Sequence, residues 1–128
     1  MNRREAERLN HQENTLRALG LSAAEAETLR RASMTLHRWA EHECNGTIQR
    51  DEETGVPYSY TMDGRRLGRA ADRETGALKR ARAIAEAHGL TLYHQTDPRG
   101  AALYLLRPGD VPVGGDASAY YSRGVVVY

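Results

Sequence analysis

The residues best suited to chemistry lie in the segment DGRRLGRAADR, residues 63 to 73, which holds four arginines and two glycines. Seven basic and two acidic side chains fall between residues 65 and 82, although the whole chain has a formal net charge of only +1. Guanidinium groups form paired hydrogen bonds with phosphate and carboxylate oxygens, and the first amides of a helix also favour anions. We expect this segment to be an arginine-rich lead-in to a helix, a place where both kinds of donor favour anions.

The glycine spacing of the segment matches neither GxGxxG nor GxxxxGK[ST], which disfavours a Rossmann-type dinucleotide site and leads us to reject a P-loop. Three interpretations fit the charge: a solvated and partly paired surface, a site for phosphate or nucleic acid, and a site for an acidic protein surface. Two nearby tyrosines add faces on which bases can stack. The predicted partner-binding residues are Arg65, Arg66, Arg69, Arg73, Lys79, Arg80, Arg82, Tyr58 and Tyr60.

A second group of reactive side chains lies in LHRWAEHEC, residues 36 to 44. His37 and Glu41 share a helix face, but His42 lies about 100° around the helix from Glu41. The sequence offers no second ligand cluster to complete a tetrahedral metal site, and no group that would orient His42 beside Cys44 for nucleophilic catalysis. We interpret these residues as polar groups beside a core tryptophan.

A third group consists of His94, Asp97 and Arg99, at the junction of an expected strand and turn. Acid–base chemistry is conceivable there, but Asp97 is already accounted for as the first residue of a type I turn. We therefore expect no catalytic residue, no metal and no cofactor.

The first 45 residues predict a helical hairpin. The first helix is expected to end at Gly20, with Asn2 as a cap. The second begins with the capping box SAAE at residues 22 to 25 and ends at Asn45-Gly46. Apolar residues follow at helical spacing on both helices, more sparsely on the first.

Residues 46 to 128 predict a mixed part with two hairpins and one helix. The first hairpin joins β-formers at 47–49 and 56–61, and a helix over 73–88 is expected to be capped by Asp72 or a nearby residue. A second hairpin, LTLYHQT and AALYLL, turns at Asp97-Pro98-Arg99-Gly100. One helical turn is expected from Asp116 through Tyr120 and Tyr121, before a final strand VVVY. The expected fold is a single α+β domain over 1–128, its third helix packed on a small antiparallel sheet.

The composition, 40% hydrophobic and 27% charged, is typical of a folded globular domain. No apolar stretch approaches the length of a membrane span, and the segment MNRREAERLN has no apolar core of a signal peptide. Cys44 is the only cysteine, which rules out an internal disulfide and suits a reducing compartment. We expect a cytoplasmic protein without a membrane partner.

Phrases along nearly the whole chain resemble a family of small uncharacterised proteins of tailed bacteriophages and proteobacterial prophages. They are MNRREAERLNHQENTLRALG, ECNGTIQRDEETGVPYSY, residues 72 to 81, HQTDPRGAALYLLRPGDVP and AYYSRGVVVY. The resemblance implies a phage accessory protein in the bacterial cytoplasm and supplies no functional residues.

Without a catalytic set, such a protein is expected to act by binding. The first hypothesis is inhibition of a host bacterial defence complex, of the anti-CRISPR type, through contact with a host protein or ribonucleoprotein. The second is nucleic-acid binding in phage replication or regulation. The third is sequestration of a nucleotide signal in a concave site. A homodimer is compatible with each of them.

Overall fold

The first two helices form as the capping signals predict. The computed structural model describes residues 2–97, 100–110 and 125–127. Helix α1 spans Arg3–Ala18, and its cap residue Asn2 accepts a hydrogen bond from the Glu5 amide. Helix α2 spans Ala23–Cys44 and begins with the predicted capping box. Gly20 and Gly46 follow the two helices with positive φ angles of 91° and 80°, a conformation that glycine adopts without steric cost.

The first sheet is antiparallel and contains one strand more than predicted. Its strands are β1 (Ile48–Arg50), β2 (Pro57–Tyr60) and β3 (Arg66–Arg69), in the order β1-β2-β3. The first two confirm the predicted hairpin. The arginine segment leads into helix α3, as expected, but residues Arg66–Arg69 within it form strand β3, which was not predicted and which pairs with β2 through an irregular register. Its four residues are all exposed, so no alternation of apolar and polar side chains marked it as a strand.

Helix α3 spans Arg73–Ala87, as predicted to within one residue. The Asp72 carboxylate accepts a hydrogen bond from the Thr75 amide and caps the helix. Alanines at every fourth position, Ala77, Ala81 and Ala85, form its buried face. Their small size lets α3 approach α2 closely, and the two helices pack against each other.

The second sheet supplies the strand residues of the hydrophobic core. It contains β4 (Thr91–Asp97), β5 (Gly100–Leu106) and β6 (Val125–Val127), all antiparallel in the order β4-β5-β6. The predicted hairpin and final strand are thereby confirmed, with Asp97 opposite Gly100 in the ladder. The turn residues Pro98 and Arg99, the expected helical turn at Asp116, Tyr120 and Tyr121, and Tyr128 lie outside the described residues.

One hydrophobic core joins all three helices to the second sheet. It is formed by residues such as Leu16, Leu29, Leu36, Leu103 and Val127, each almost fully buried. The fold is α+β, as expected. The first sheet contributes nothing to this cluster and instead contacts α2 near its C-terminal end. None of the three described helices combines the length and the apolar character needed to cross a bilayer.

Candidate functional site: an arginine cleft

A cleft of about 420 Å³ lies between α2, the first sheet and the start of α3. Its size falls within the range of pockets that hold small-molecule ligands. Because the first sheet stands outside the main core, an open space remains between it and α2. We call this feature the arginine cleft; its lining residues are Thr35, Arg38, Trp39, His42, Ile48, Ser59, Arg69, Ala70, Ala71 and Arg73.

Local structure explains why residues far apart in sequence meet here. Thr35, Arg38, Trp39 and His42 follow the i, i+3, i+4, i+7 pattern, which places them on one face of α2. On the sheet, Ile48 and Ser59 are directly paired between β1 and β2 and therefore share one side. Arg69 ends β3 and Arg73 begins α3, with only three residues between them.

The cleft is strongly basic. Arg38, Arg69 and Arg73 come from three different elements, and no carboxylate is among the lining residues. No ion pair joins any of these three arginines to an acidic group in the part of the chain that the structure describes. Arg30, by contrast, lies 3.0 Å from a carboxylate oxygen of Glu27. The guanidinium donors of the cleft are therefore available to an anionic ligand.

The rest of the lining supplies apolar surface and further polar groups. Trp39, Ile48 and two alanines give the cleft an apolar part, although Trp39 is only 4% exposed. Ser59 adds a hydroxyl group, and the exposed His42 holds its Nδ1 atom 2.9 Å from the hydroxyl of Thr47. Arginines around an apolar floor suit a ligand that has both an anionic and an apolar part.

A charged cluster centred on Arg50 lies beside the cleft residue Trp39. The Arg50 guanidinium donates two hydrogen bonds of 3.1 Å to the Asp72 carboxylate, one from each terminal nitrogen. It also lies 3.6 Å from Glu74 and 4.0 Å from Glu43. The bonds from Arg50 lower the pKa of Asp72 to about 2. Burial and the negative charge of Glu43 raise the pKa of Glu74.

The structure divides the predicted partner-binding residues among separate surfaces. Arg69 and Arg73 line the arginine cleft. Arg66 lies over the ring of Tyr58, with its guanidinium carbon 3.3 Å from the ring centroid. Tyr58 and Tyr60 flank Ser59 on β2, so strand alternation directs them to the side opposite the cleft.

The remaining cations of the prediction lie on or beside α3. Lys79 and Arg82 line a shallow groove that also contains Glu86. Arg80 is two helical turns from Arg73, and its guanidinium lies close to Gly76. Arg65 is exposed beside the turn before β3, where its amide donates to the Thr61 hydroxyl. The nine residues therefore do not form one continuous patch.

Sequence reasoning missed Arg38, Trp39 and His42 as cleft residues. Their helical spacing was visible, but the segment that contains them was considered only for metal binding and nucleophilic catalysis. Nothing in the sequence shows that this helix face lies opposite the strand that ends at Arg69. The signal that the sequence did offer for a binding site on this helix face was the basic Arg38 next to Trp39.

The residues that the sequence offered for metal binding or catalysis come together only in part. His37 and Glu41 lie 3.5 Å apart on the exposed surface of α2. Within residues 2–97, 100–110 and 125–127, no three ligating side chains are grouped so that they could hold a metal ion. Cys44 is exposed. Burial and the nearby charge of Arg82 lower the pKa of His94.

Comparisons of this chain with protein-family models, with curated proteins and with solved structures found no match. The geometry of the arginine cleft is therefore the basis for a functional proposal.

Proposed function

We propose that this protein acts by binding, and that its ligand is a phosphate-bearing small molecule of the nucleotide class held in the arginine cleft. The observation that supports this most directly is the set Arg38, Arg69 and Arg73, which surrounds one concave site without an acidic neighbour in its lining. Planar guanidinium groups bind phosphate through two parallel hydrogen bonds, which makes arginine the preferred residue for such recognition.

The dimensions of the site favour a small ligand over a polynucleotide. Proteins that bind single strands use a positively charged groove that follows the backbone over several nucleotides. Here the cations lie on separate surfaces, and those in the cleft surround a space of about 420 Å³. The apolar part next to Trp39 and Ile48 can accommodate the non-phosphate portion of a nucleotide. We propose that the protein sequesters such a ligand, because binding needs no catalytic group.

Thermal unfolding with defined ligands tests the proposal. The probes are inorganic phosphate, pyrophosphate, 5′-mononucleotides and cyclic dinucleotides. A ligand at about 100 times its Kd adds about 2.7 kcal/mol to the free energy of unfolding. We expect at least one nucleotide to raise Tm by several degrees, and the double variant Arg38→Gln with Arg73→Gln to lose most of that rise.

The matched control is Arg82→Gln, which removes the same charge from the groove on the outer side of α3. It should keep the full rise in Tm. If no probe shifts the wild-type Tm, or if the double variant shifts as the wild type does, nucleotide capture in this cleft is wrong. A response to long single-stranded DNA alone would favour the nucleic-acid hypothesis.

A second candidate function is inhibition of a host bacterial defence complex, which the phage resemblance suggested. The observation that favours it is the exposed hairpin of β2 and β3, where Met62 is 79% exposed and Leu67 is 61% exposed. Large exposed apolar side chains beside Arg65 and Arg66 are typical of protein contact surfaces. Its test is a defence assay in bacteria with Arg65→Gln and Arg66→Gln combined, which should abolish inhibition if this hairpin is the contact.

A further inference from the structure

We infer that Arg50 is a positioning residue of the arginine cleft: it makes no contact with the ligand but holds Arg73 where it can reach phosphate. The inference rests on the proposed function of the cleft. Arg50 belongs to β1 and is not among the residues that line the cleft. Its side chain is nevertheless bonded to the segment from which Arg73 extends.

The link to Arg73 runs through Asp72. Both oxygens of the Asp72 carboxylate accept hydrogen bonds from Arg50, each 3.1 Å long. The same carboxylate caps α3 by accepting from the Thr75 amide at 3.2 Å. Asp72 lies between Ala71 and Arg73, which both line the cleft. Arg50 thus fixes the position of the first turn of α3 relative to the first sheet.

One further hydrogen bond and one cation–π contact hold Arg50 itself in place. One terminal nitrogen donates to the backbone carbonyl of Gly55 at 2.9 Å, in the turn between β1 and β2. The guanidinium also lies 5.3 Å from the ring centroid of Trp39, whose Nε1 donates to Glu43 at 2.7 Å. The side chain is therefore bound to α2, to the first sheet and to the start of α3 at once.

Arg50 differs from the cleft arginines because acidic groups surround its guanidinium. Three carboxylates, from Glu43, Asp72 and Glu74, lie within 4.0 Å of its guanidinium. They offset its positive charge, so Arg50 adds little attraction for an anion in the cleft. Its contribution is geometric, and a lysine cannot reproduce it. A compact ammonium keeps the charge but cannot form the planar fork that bridges both oxygens of Asp72.

A double-mutant cycle with pyrophosphate as the probe tests this role. Arg50→Lys should weaken pyrophosphate binding about tenfold, in the wild type and in the Arg38→Gln background alike. In the Arg73→Gln background the same substitution should weaken binding by less than about twofold, because the group that Arg50 positions is already absent. If Arg50→Lys instead loosened the fold in general, it would lower the pyrophosphate affinity by the same factor in the Arg38→Gln and the Arg73→Gln backgrounds.

The outcomes separate this inference from the proposed function. Two results would overturn the positioning role while leaving the proposed function of the cleft intact. In the first, the wild type binds pyrophosphate and the Arg50→Lys protein binds it equally well. In the second, Arg50→Lys lowers the pyrophosphate affinity by the same factor whether or not Arg73 is present. If the wild type binds none of the phosphate probes, both are overturned.

A second variant covers the case in which Arg50→Lys does not fold. Asp72→Asn removes the charged partner of Arg50, and asparagine is as good a helix cap as aspartate. It should reproduce the loss of pyrophosphate affinity and the dependence on Arg73. Full affinity in a folded Asp72→Asn protein would overturn the inference.

Discussion

The arginines of this protein differ in what surrounds their guanidinium groups. Arg50 is partly buried, and its hydrogen bonds to Asp72 raise its pKa. The cleft arginines face open space that no acidic residue lines. Each carboxylate in the charged cluster centred on Arg50 is attracted by the guanidinium and repelled by the neighbouring carboxylates. For Glu74, burial and the charge of Glu43 outweigh the attraction of Arg50, and they raise its pKa.

Replacing Glu74 with glutamine is expected to make the protein slightly more stable at pH 7. A raised pKa in the folded state means that folding favours the protonated carboxyl. The stability that Glu74 contributes is complete below its unfolded pKa and is lost as pH rises through its folded pKa. The variant should therefore exceed the wild type by a fraction of a kcal/mol at pH 7 and match it near pH 4, as measured by urea unfolding.

The control for this pH dependence is Glu52→Gln, at an exposed position in the turn between β1 and β2. It should follow the wild-type stability across the pH range. A Glu74→Gln protein that is less stable than the wild type at pH 7 would show that its contact with Arg50 outweighs burial.

At the scale of elements, the short strand β6 closes the second sheet and joins it to α2. Val127 is 1% exposed and belongs to the core cluster that contains Leu16 and Leu36. Its carbonyl accepts a hydrogen bond of 2.8 Å from the buried hydroxyl of Ser33 on α2. Val127 thus completes a core most of whose other members come from the helices.

Deleting residues 124–128 is expected to abolish the cooperative thermal transition. The deletion removes a buried valine, the partner of one edge of β5 and the acceptor for Ser33. Circular dichroism during heating measures the effect. Ser33→Ala, which removes only the hydrogen bond, should stay folded and lose about 1 kcal/mol. An unchanged melting curve for the deletion would mean that β6 is not required for the core.

At the scale of the whole molecule, the positive charge predicted as one patch is divided by the fold. Arg69 and Arg73 enter the cleft, Arg66 covers Tyr58, and Lys79 lies in a groove on α3. These surfaces can serve different partners. A nucleotide would use the cleft, whereas a host protein would use the exposed hairpin.

Two pairs of substitutions separate these partners. Arg69→Gln with Arg73→Gln should remove nucleotide binding, while Arg65→Gln with Arg66→Gln should leave it intact, as measured by the ligand-induced change in Tm. Both proteins should fold, because surface substitutions usually change stability by less than about 0.5 kcal/mol each. If the hairpin pair weakens nucleotide binding as much as the cleft pair, the division of the charge proposed here is wrong.

The sequence alone determined the local elements that carry strong signals. The capping box at Ser22, the cap at Asp72, and the hydrophobic periodicity of α2 and α3 arise from groups a few residues apart, so the sequence predicts them directly. The paired strands β4 and β5 and the strand β6 were predicted from equally local signals. Strand β3 was missed because its exposed side chains leave no periodic pattern, and only its pairing with β2 makes it a strand.

Only the tertiary structure decided where the charged residues act. Arg38 and Arg73 are 35 positions apart, and their approach depends on how α2, the first sheet and α3 pack together. The bonds from Arg50 to Asp72 likewise join β1 to α3 across 22 positions. Charge counts along the chain cannot distinguish a guanidinium that is offset by three carboxylates from one that faces an open cleft. That distinction depends on distance in space, because electrostatic attraction is set by separation and burial and not by position in the sequence.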